Sequence, residues 1–257
     1  DPMYWRIIRT NHDGSIRLLY HGTSTTATDA YIGQSVINAE NNDPMYVGYK
    51  YGTTGSLENN RLNTNDSTIK TYVDNWYKNY LTAYTKYLSN DAVYCNDRNL
   101  ASGQTYSTTN RFTYAPYGRL YTNNTPTYNC TNNKDAFSGN NSEAKLTYPI
   151  GLMTADEVVF AGGVYGSNAK TWYYYNSANG NSAGSTWELM SPYFWEDSLA
   201  CMFGVMGSTF PGFLSNGRVG LPSNVRPALS LKACIKYSTG NGTPETPYEI
   251  VETDTGC

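Results

Sequence analysis

Seven side chains could bind a soft metal or act as nucleophiles, and their spacing decides which chemistry is open to them. They are His12, His21, Cys95, Cys130, Cys201, Cys234 and Cys257. Two histidines are too few for a multi-histidine zinc site, and they argue against a histidine-based catalytic triad. Because no two cysteines form a CxxC motif, zinc ribbons and thioredoxin-type redox sites are excluded. We therefore predict no catalytic residues and no metal ligands among them.

The cysteines are better explained by disulfide bonds. Cys95 and Cys130 both lie in a polar, loop-like stretch that a covalent link would stabilise most, and we predict that they pair. Cys234 and Cys257 are a second candidate pair. Cys201 lies in an apolar run and is predicted to be a small buried hydrophobic residue. The composition, rich in Asn, Thr and Tyr and poor in Lys, predicts a secreted protein, and disulfides persist outside the cell.

Two groups of carboxylates have alternative explanations. Glu196 and Asp197 form the only acidic pair in residues 164–224. A calcium ion needs six or more oxygen ligands, so this pair alone predicts solvated side chains rather than a calcium site. Glu157 stands three residues after Thr154, which is the spacing of a helix capping box. We assign Glu157 to the start of a helix rather than to acid catalysis.

Composition narrows the possible partners. Charged residues make up 15% of the 257 residues, and the formal net charge is −3. Nucleic acid binding demands clustered Lys and Arg, so nucleic acid is not an expected partner. Aromatic residues reach 14%, with 25 tyrosines, which excludes an ordinary disordered chain. No run of 18 apolar residues is present, so we expect no membrane-spanning segment.

Local patterns predict the elements that would position these side chains. Residues 5–9 and 16–20 flank Asp13-Gly14, which predicts a β-hairpin. A helix capped by Asp66 or Ser67 is predicted from apolar residues at three- and four-residue spacing. These are Ile69, Val73, Trp76, Tyr80, Tyr84 and Leu88.

The remaining chain reads as short strands and loops. Residues 46–51 are a short strand candidate, and residues 89–145 have almost no periodicity and read as a long irregular insertion. The segment from residue 164 to residue 215 favours short strands between turns. A strand is predicted from residue 225 to about residue 237, and a terminal strand at residues 248–251.

Four motifs occur along the chain in an order that resembles a known fold family. The motifs are residues 148–157, a Gly-Gly helix stop at residues 160–163, a strand with tryptophan at residues 187–192 and the closing Val-Arg-Pro-Ala at residues 225–228. This order resembles the C-type lectin-like fold, in the branch that includes formylglycine-generating enzymes and retroelement-diversified variable proteins. The hairpin, residues 95–98, residues 240–243 and residues 247–250 look like bacterial surface proteins of Firmicutes that carry this domain.

The resemblance implies an architecture and a location. The fold class would be α+β, a C-type lectin-like fold with two helices, small antiparallel sheets and long irregular loops. The chain would be a single domain over residues 1–257, with an insertion at residues 89–145 and a terminal strand and tail at residues 239–257. The resemblance also implies a cell-surface or pilus-associated protein whose anchoring segment lies upstream of residue 1.

The resemblance also implies a ligand-binding surface. In the diversified proteins the recognition patch lies just before the closing Arg-Pro strand, which corresponds to residues 191–224 here. We expect the ligand-binding side chains on its surface to be Tyr193, Trp195, Glu196, Asp197, Phe210, Phe213 and Arg218. Trp187 and Phe203 are expected in the core. Arg226 is expected to pair with a carboxylate or with backbone carbonyls beneath the loops.

The expected function is that of an adhesin-like domain, not an enzyme, that binds a host or bacterial surface protein or glycan without a cofactor. One alternative is a formylglycine-generating enzyme, which needs two close thiolates for copper. Cys201 and Cys234 are too far apart in sequence to match that motif. The other alternative is a structural pilin head without a ligand.

Overall fold

A computed structural model describes residues 2–26, 30–169, 173, 186–207 and 210–257. The architecture is mixed α+β: short strands form two main sheets and three small ones, and helices are few. The α+β class predicted from sequence is therefore confirmed at this level. Of the helices in the described ranges, none has the length and apolar character that crossing a membrane requires.

The helical elements of the described ranges are short except for one. The α-helices are α1 (Leu57–Asn60), α2 (Thr68–Tyr80), α3 (Ala115–Tyr117) and α4 (Ala155–Phe160). 3-10 turns cover Pro44–Val47, Thr82–Tyr87 and Asn133–Asp135, and a wider π-type turn, Gly118–Thr122, continues α3.

The strands, in chain order, are β1 (Tyr4–Thr10), β2 (Ile16–Gly22), β3 (Gln34–Ser35), β4 (Lys50–Tyr51), β5 (Asn65–Asp66), β6 (Tyr94–Cys95), β7 (Phe112–Thr113), β8 (Ala136–Phe137), β9 (Ile150–Leu152), β10 (Val164–Tyr165), β11 (Trp187–Glu196), β12 (Leu199–Val205), β13 (Phe213–Arg218), β14 (Ser223–Asn224), β15 (Pro227–Leu231), β16 (Tyr237–Thr239) and β17 (Glu249–Ile250).

The first main sheet joins distant parts of the chain in the order β1-β2-β15-β9, with every pair antiparallel. The predicted hairpin is confirmed as β1 and β2, and Gly14 adopts a positive φ of 80° in its turn. Strand β15 is central: Ala228 lies opposite Leu19 on one side and opposite Gly151 on the other. The first and last thirds of the chain are thereby held in one sheet.

The second main sheet carries the predicted binding region. Its order is β10-β13-β12-β11-β14-β3, and β7 also pairs with β11. Strand β11 is ten residues long, and β12 lies antiparallel beside it. The two-residue turn between them places Asp197 and Ser198 at φ of 47° and 63°, which is the geometry of a type I′ hairpin turn.

Helix α2 confirms the predicted start and corrects the predicted apolar face. The Ser67 hydroxyl accepts a hydrogen bond from the Lys70 amide at 3.1 Å, as an N-cap does. Ile69 and Val73 are buried as expected, but the next buried residue is Tyr77 rather than Tyr80. The buried face repeats every four residues, through Ile69, Val73, Tyr77 and Leu81, and this leaves Tyr80 exposed. Tyr84 is also exposed, whereas Leu88 is buried as predicted.

Two strand predictions need correction. Residues 44–47 form a 3-10 turn, and of the predicted strand 46–51 only Lys50–Tyr51 pairs as a strand. Strand β15 ends at Leu231 rather than near residue 237. The chain then forms a small hairpin of β16 and β17, closed by a disulfide between the candidate pair Cys234 and Cys257. The terminal strand itself is confirmed, although it covers only Glu249–Ile250.

The capping box is confirmed, and its glutamate does more than cap. Thr154 and Glu157 exchange side-chain and backbone hydrogen bonds at the start of α4. The buried Glu157 carboxylate also forms ion pairs with Arg17 at 2.6 Å and with Arg9 at 3.1 Å. These contacts join α4 to the β1–β2 hairpin, so Glu157 is a structural residue.

The irregular segment of residues 89–145 is held by a buried carboxylate and a disulfide. Asp135 accepts a hydrogen bond from Arg98 Nε at 2.6 Å and from Arg61 Nη2 at 2.8 Å. The predicted Cys95–Cys130 disulfide is confirmed and closes a separation of 35 residues. A segment with little regular structure is thereby fixed at several points.

His21 is a buried neutral imidazole between the hairpin and its neighbours. Arg6 Nε donates to Nδ1 at 3.3 Å, so the Nε2 proton is directed at the Thr25 carbonyl, 3.2 Å away. Burial, followed by the charges of Arg6 and Arg226, lowers the pKa of His21 to about 4. The folded state therefore binds this proton less readily than the unfolded chain does.

We predict that His21 makes the protein acid-sensitive. The pKa of His21 in the folded state lies below the unfolded value of about 6.5, so the folded state is favoured while His21 is neutral. This stabilisation is complete above pH 6.5, and up to about 3 kcal/mol of unfolding free energy is lost as the pH falls towards 4. Urea unfolding at several pH values should show this loss in the native protein and a smaller loss in His21→Asn. Equal slopes in the two proteins would contradict the assignment.

The two disulfides should contribute unequally to stability. Replacing Cys95 and Cys130 by serine should lower the free energy of unfolding by about 3–4 kcal/mol, because the link closes a long loop among buried contacts. The same change at Cys234 and Cys257 frees a mostly exposed hairpin and should cost about 1 kcal/mol or less. Equal losses of unfolding free energy in urea would show that the Cys95–Cys130 disulfide does not hold residues 89–145 as described.

Candidate functional site

Two of the predicted ligand-binding residues are inside the protein. Tyr193 is 4% exposed and Trp195 is 1% exposed, so the prediction that they lie on the surface was wrong. Tyr193 is buried because the rings of Tyr117, Tyr165 and Phe203 pack against it, and Trp195 lies in the hydrophobic core. The expected core positions of Trp187 and Phe203 are confirmed.

The other predicted residues lie at two separate ends of the sheet. Glu196 and Asp197 are at the β11–β12 turn, and the exposed Arg218 lies opposite Cys201 near that end. Phe213 begins β13 at the other end of the sheet, and Phe210 precedes it in the chain, with their ring centroids 6.0 Å apart. The four residue steps along β12 correspond to about 13 Å. The structure therefore does not bring the seven residues together into one patch.

A different aromatic cluster lies at the surface. The tyrosine platform consists of Tyr117, Tyr121, Tyr165, Tyr193 and Phe194. The Tyr117 and Tyr121 rings are stacked, with their centroids 4.7 Å apart. Tyr121 and Tyr165 meet edge to face, and their centroids are also 4.7 Å apart. Tyr193 lies beneath, 4.9 Å from Tyr117 and 5.1 Å from Phe194. Five rings from three parts of the chain thus form one continuous cluster.

The platform has a buried floor and an exposed rim. Phe203 meets Tyr193 edge to face at 4.8 Å, and the hydroxyl oxygens of Tyr193 and Tyr165 lie 2.5 Å apart. Tyr121 forms the rim and is 50% exposed. The Tyr121 ring is held by Tyr117 and Tyr165 and is exposed to solvent on its other side, so it has a fixed orientation.

Arg119 holds the two outer tyrosines in place. Its Nε and Nη2 donate to the two oxygens of Asp156 at 2.7 and 2.8 Å, and its Nη1 donates to Asp97 at 2.7 Å. Burial opposes the charge of Arg119, but these carboxylates raise its pKa above the usual range. Because Tyr117 and Tyr121 lie two residues to either side, this bidentate contact fixes their turn against α4.

Polar side chains border the rings. The Arg111 guanidinium lies 5.3 Å from the centroid of the Phe194 ring and forms a 3.5 Å ion pair with Glu196. Asn216 Nδ2 donates to the Tyr165 hydroxyl at 3.4 Å. Glu196 is thus the one acidic residue of the sequence prediction that borders the platform, whereas Asp197 shapes the hairpin turn.

The platform is suited to contact rather than to acid–base chemistry. Burial, followed by neighbouring phenols, raises the pKa of Tyr193 and of Tyr117. These hydroxyls are therefore neutral at physiological pH and both donate and accept hydrogen bonds. Across the described residues there is no group of three or more His, Cys, Asp or Glu placed to hold a metal ion.

The one free cysteine does not change this interpretation. Cys201 is buried on β12, as predicted. Burial raises the pKa of its thiol to about 11, so it stays protonated and is a poor nucleophile at neutral pH. The expected contact of Arg226 with a backbone carbonyl is also confirmed: its Nε donates to Tyr20 O at 2.8 Å.

Sequence reasoning missed the platform because its residues are far apart in the chain. Tyr117 and Tyr121 lie in the segment read as irregular, and Tyr165 and Tyr193 are 28 residues apart. The one local signal is the four-residue spacing of Tyr117 and Tyr121, which places two side chains on the same side of a helical turn.

Comparisons with protein-family models, curated proteins and solved structures gave no match to this chain.

We predict that Arg119 supports the platform through buried charge. Arg119→Gln leaves Asp156 without its partner and should lower the free energy of unfolding by roughly 3 kcal/mol. Arg111→Gln is the matched control, since its ion pair with Glu196 is exposed and should change stability by about 0.5 kcal/mol or less. Similar losses in both variants by urea unfolding would refute the distinction.

Proposed function

We propose that this protein is an extracellular ligand-binding domain that uses the tyrosine platform as its contact surface and carries out no reaction. The observation that supports this most is that half of the Tyr121 side chain is exposed, whereas Tyr193, which contacts Tyr117 and Tyr165, is buried. Ordered aromatic rings offer a large contact area and lose little conformational entropy on binding. A loose surface tyrosine would not have this advantage.

The chemistry of the platform suits a surface protein or a glycan as the ligand. Each tyrosine presents an apolar ring together with a hydroxyl, and Arg111, Glu196 and Asn216 add charged and amide groups at the border. Such a surface can bury apolar area and still satisfy polar groups of a ligand. Phe210 and Phe213 lie too far away to share the same small contact.

The location of the protein is part of the proposal. Cys95–Cys130 and Cys234–Cys257 are bonded, which fits an oxidising compartment such as the cell exterior. The C-type lectin-like fold, the cell-surface or pilus placement, the adhesin role and diversification by a retroelement also belong to the proposal. They rest on the motif resemblance alone.

The enzymatic alternative has less support. A formylglycine-generating enzyme would need two thiolates to hold copper. With Cys234 bonded to Cys257, the buried Cys201 is the one cysteine of five that is not in a disulfide.

Binding should depend on Tyr121. The native protein would be screened against arrays of glycans and cell-surface proteins, and the hits retested with Tyr121→Ala. We expect affinity to fall by about tenfold or more, because a half-exposed ring at the rim is lost from the contact.

The control is Tyr80→Ala, which removes a ring of similar exposure, 57%, from helix α2. Both variants should keep the melting temperature of the native protein to within a few degrees. Full binding by Tyr121→Ala, or equal losses in both variants, would contradict the platform assignment. The absence of any captured ligand would argue for the structural pilin-head alternative.

A further inference from the structure

A second feature of the β11–β13 sheet is a buried carboxyl group with room beside it. Glu188 lies near the start of β11 and is 3% exposed. Its Oε2 atom has no hydrogen-bond partner among the residues that the structure describes. Unsatisfied buried carboxyl oxygens are rare in proteins because losing their hydration is costly, so this group calls for a physical explanation.

The neighbouring strands present glycines to this carboxyl group. Gly204 of β12 lies directly opposite Glu188. Gly217 of β13 lies opposite Met202, two residues before Gly204 on β12, so Gly204, Gly217 and Glu188 share one face of the sheet. A Cβ atom placed on Gly204 would lie 3.8 Å from Glu188 Oε2, and one on Gly217 would lie 3.8 Å from Oε1. We name the space between these three residues the glycine niche.

The niche is open above Gly217. Gly217 is half-buried, and Glu188 Oε1 is the one described atom within 4 Å of the position that its Cβ would take. Gly204 is more enclosed, because a Cβ there would come within 2.9 Å of Thr186 Cγ2. A small group can therefore approach the carboxyl group from the Gly217 side.

The carboxyl group lacks a positive partner among the described residues. Burial raises the pKa of Glu188 to about 7, a hydrogen bond from Ser223 opposes that rise, and no described cation contributes. The titratable group on β12 that senses it is Cys201, whose thiol stays protonated at neutral pH. Near pH 7 Glu188 is thus divided between a neutral acid and an anion without a counter-ion.

We propose that the glycine niche binds a compact primary ammonium group, such as a lysine side chain or a small amine. An ammonium carries N–H donors only, so it can satisfy both carboxylate oxygens through charge-assisted hydrogen bonds. The niche has glycines where bulkier side chains would fill the space, which favours the smallest organic cation. Binding stabilises the anion, so affinity rises with pH as Glu188 ionises.

The test uses methylammonium as the probe and the amide NMR signals of Gly204 and Gly217 as the readout. Saturable shifts are expected at both glycines, with an affinity about tenfold higher at pH 8 than at pH 6, since ionisation of Glu188 changes by that factor around a pKa of about 7. Tetramethylammonium carries the same charge without N–H donors and should not bind.

Two variants separate binding from folding. Glu188→Gln removes the charge, and Gly217→Ala places a methyl group in the niche at an ordinary contact distance, on a backbone whose φ is not in the left-handed region. Both should keep the native near-ultraviolet circular dichroism and lose the shifts. The proposal is overturned if shifts persist in Glu188→Gln, if tetramethylammonium gives equal shifts, if calcium alone produces them, or if methylammonium gives none at millimolar concentration.

Discussion

Much of this fold depends on buried side chains that satisfy the backbone of irregular segments. Loops inside a protein leave carbonyl groups that no helix or strand partner can reach, and each unsatisfied group is costly. Arg98 addresses this directly: it is fully buried and donates to the carbonyls of Lys50, Asn60 and Lys134. Its charge is balanced by Asp135 at 2.6 Å. One guanidinium thus joins strand β4, the end of α1 and the 3-10 turn Asn133–Asp135.

The same device recurs next to the second main sheet. Asn96 is buried, donates to the carbonyls of Val47 and Met190, and accepts from the Tyr49 amide. Met190 belongs to β11, so the loop segment and the sheet that carries Tyr193 form one body. The tyrosine platform spans this junction, which is why rings from a loop and from a strand can hold a common geometry.

Local features of the fold could be predicted from the sequence, and distant ones could not. The β1–β2 turn and the Thr154 capping box depend on residues within a few positions of each other, and both predictions are confirmed. The Cys95–Cys130 pair followed from its polar setting. The Arg98–Asp135 contact joins residues 37 positions apart, and no pattern in the chain indicates it.

The predicted binding residues show the same limit. An aromatic residue in a strand looks the same in the sequence whether or not other side chains cover its face of the sheet. Tyr193 is buried because the rings of Tyr117, Tyr165 and Phe203 pack against it, and Tyr117 comes from the segment predicted to be an insertion. The outer rings of the tyrosine platform come from Tyr117 and Tyr121, outside residues 191–224 that the resemblance indicated.

Native-state hydrogen exchange tests the central claim, that the irregular segment is as rigid as the sheets. The amides of Asn96, Arg98 and Tyr114 donate to Asp135 O, Asp135 Oδ2 and Tyr193 O. They should exchange only when the whole protein unfolds, with the same free energy as the amides within the β11–β12 pairing. Exchange of these three amides at much lower free energy would show a loosely attached loop and would contradict the account.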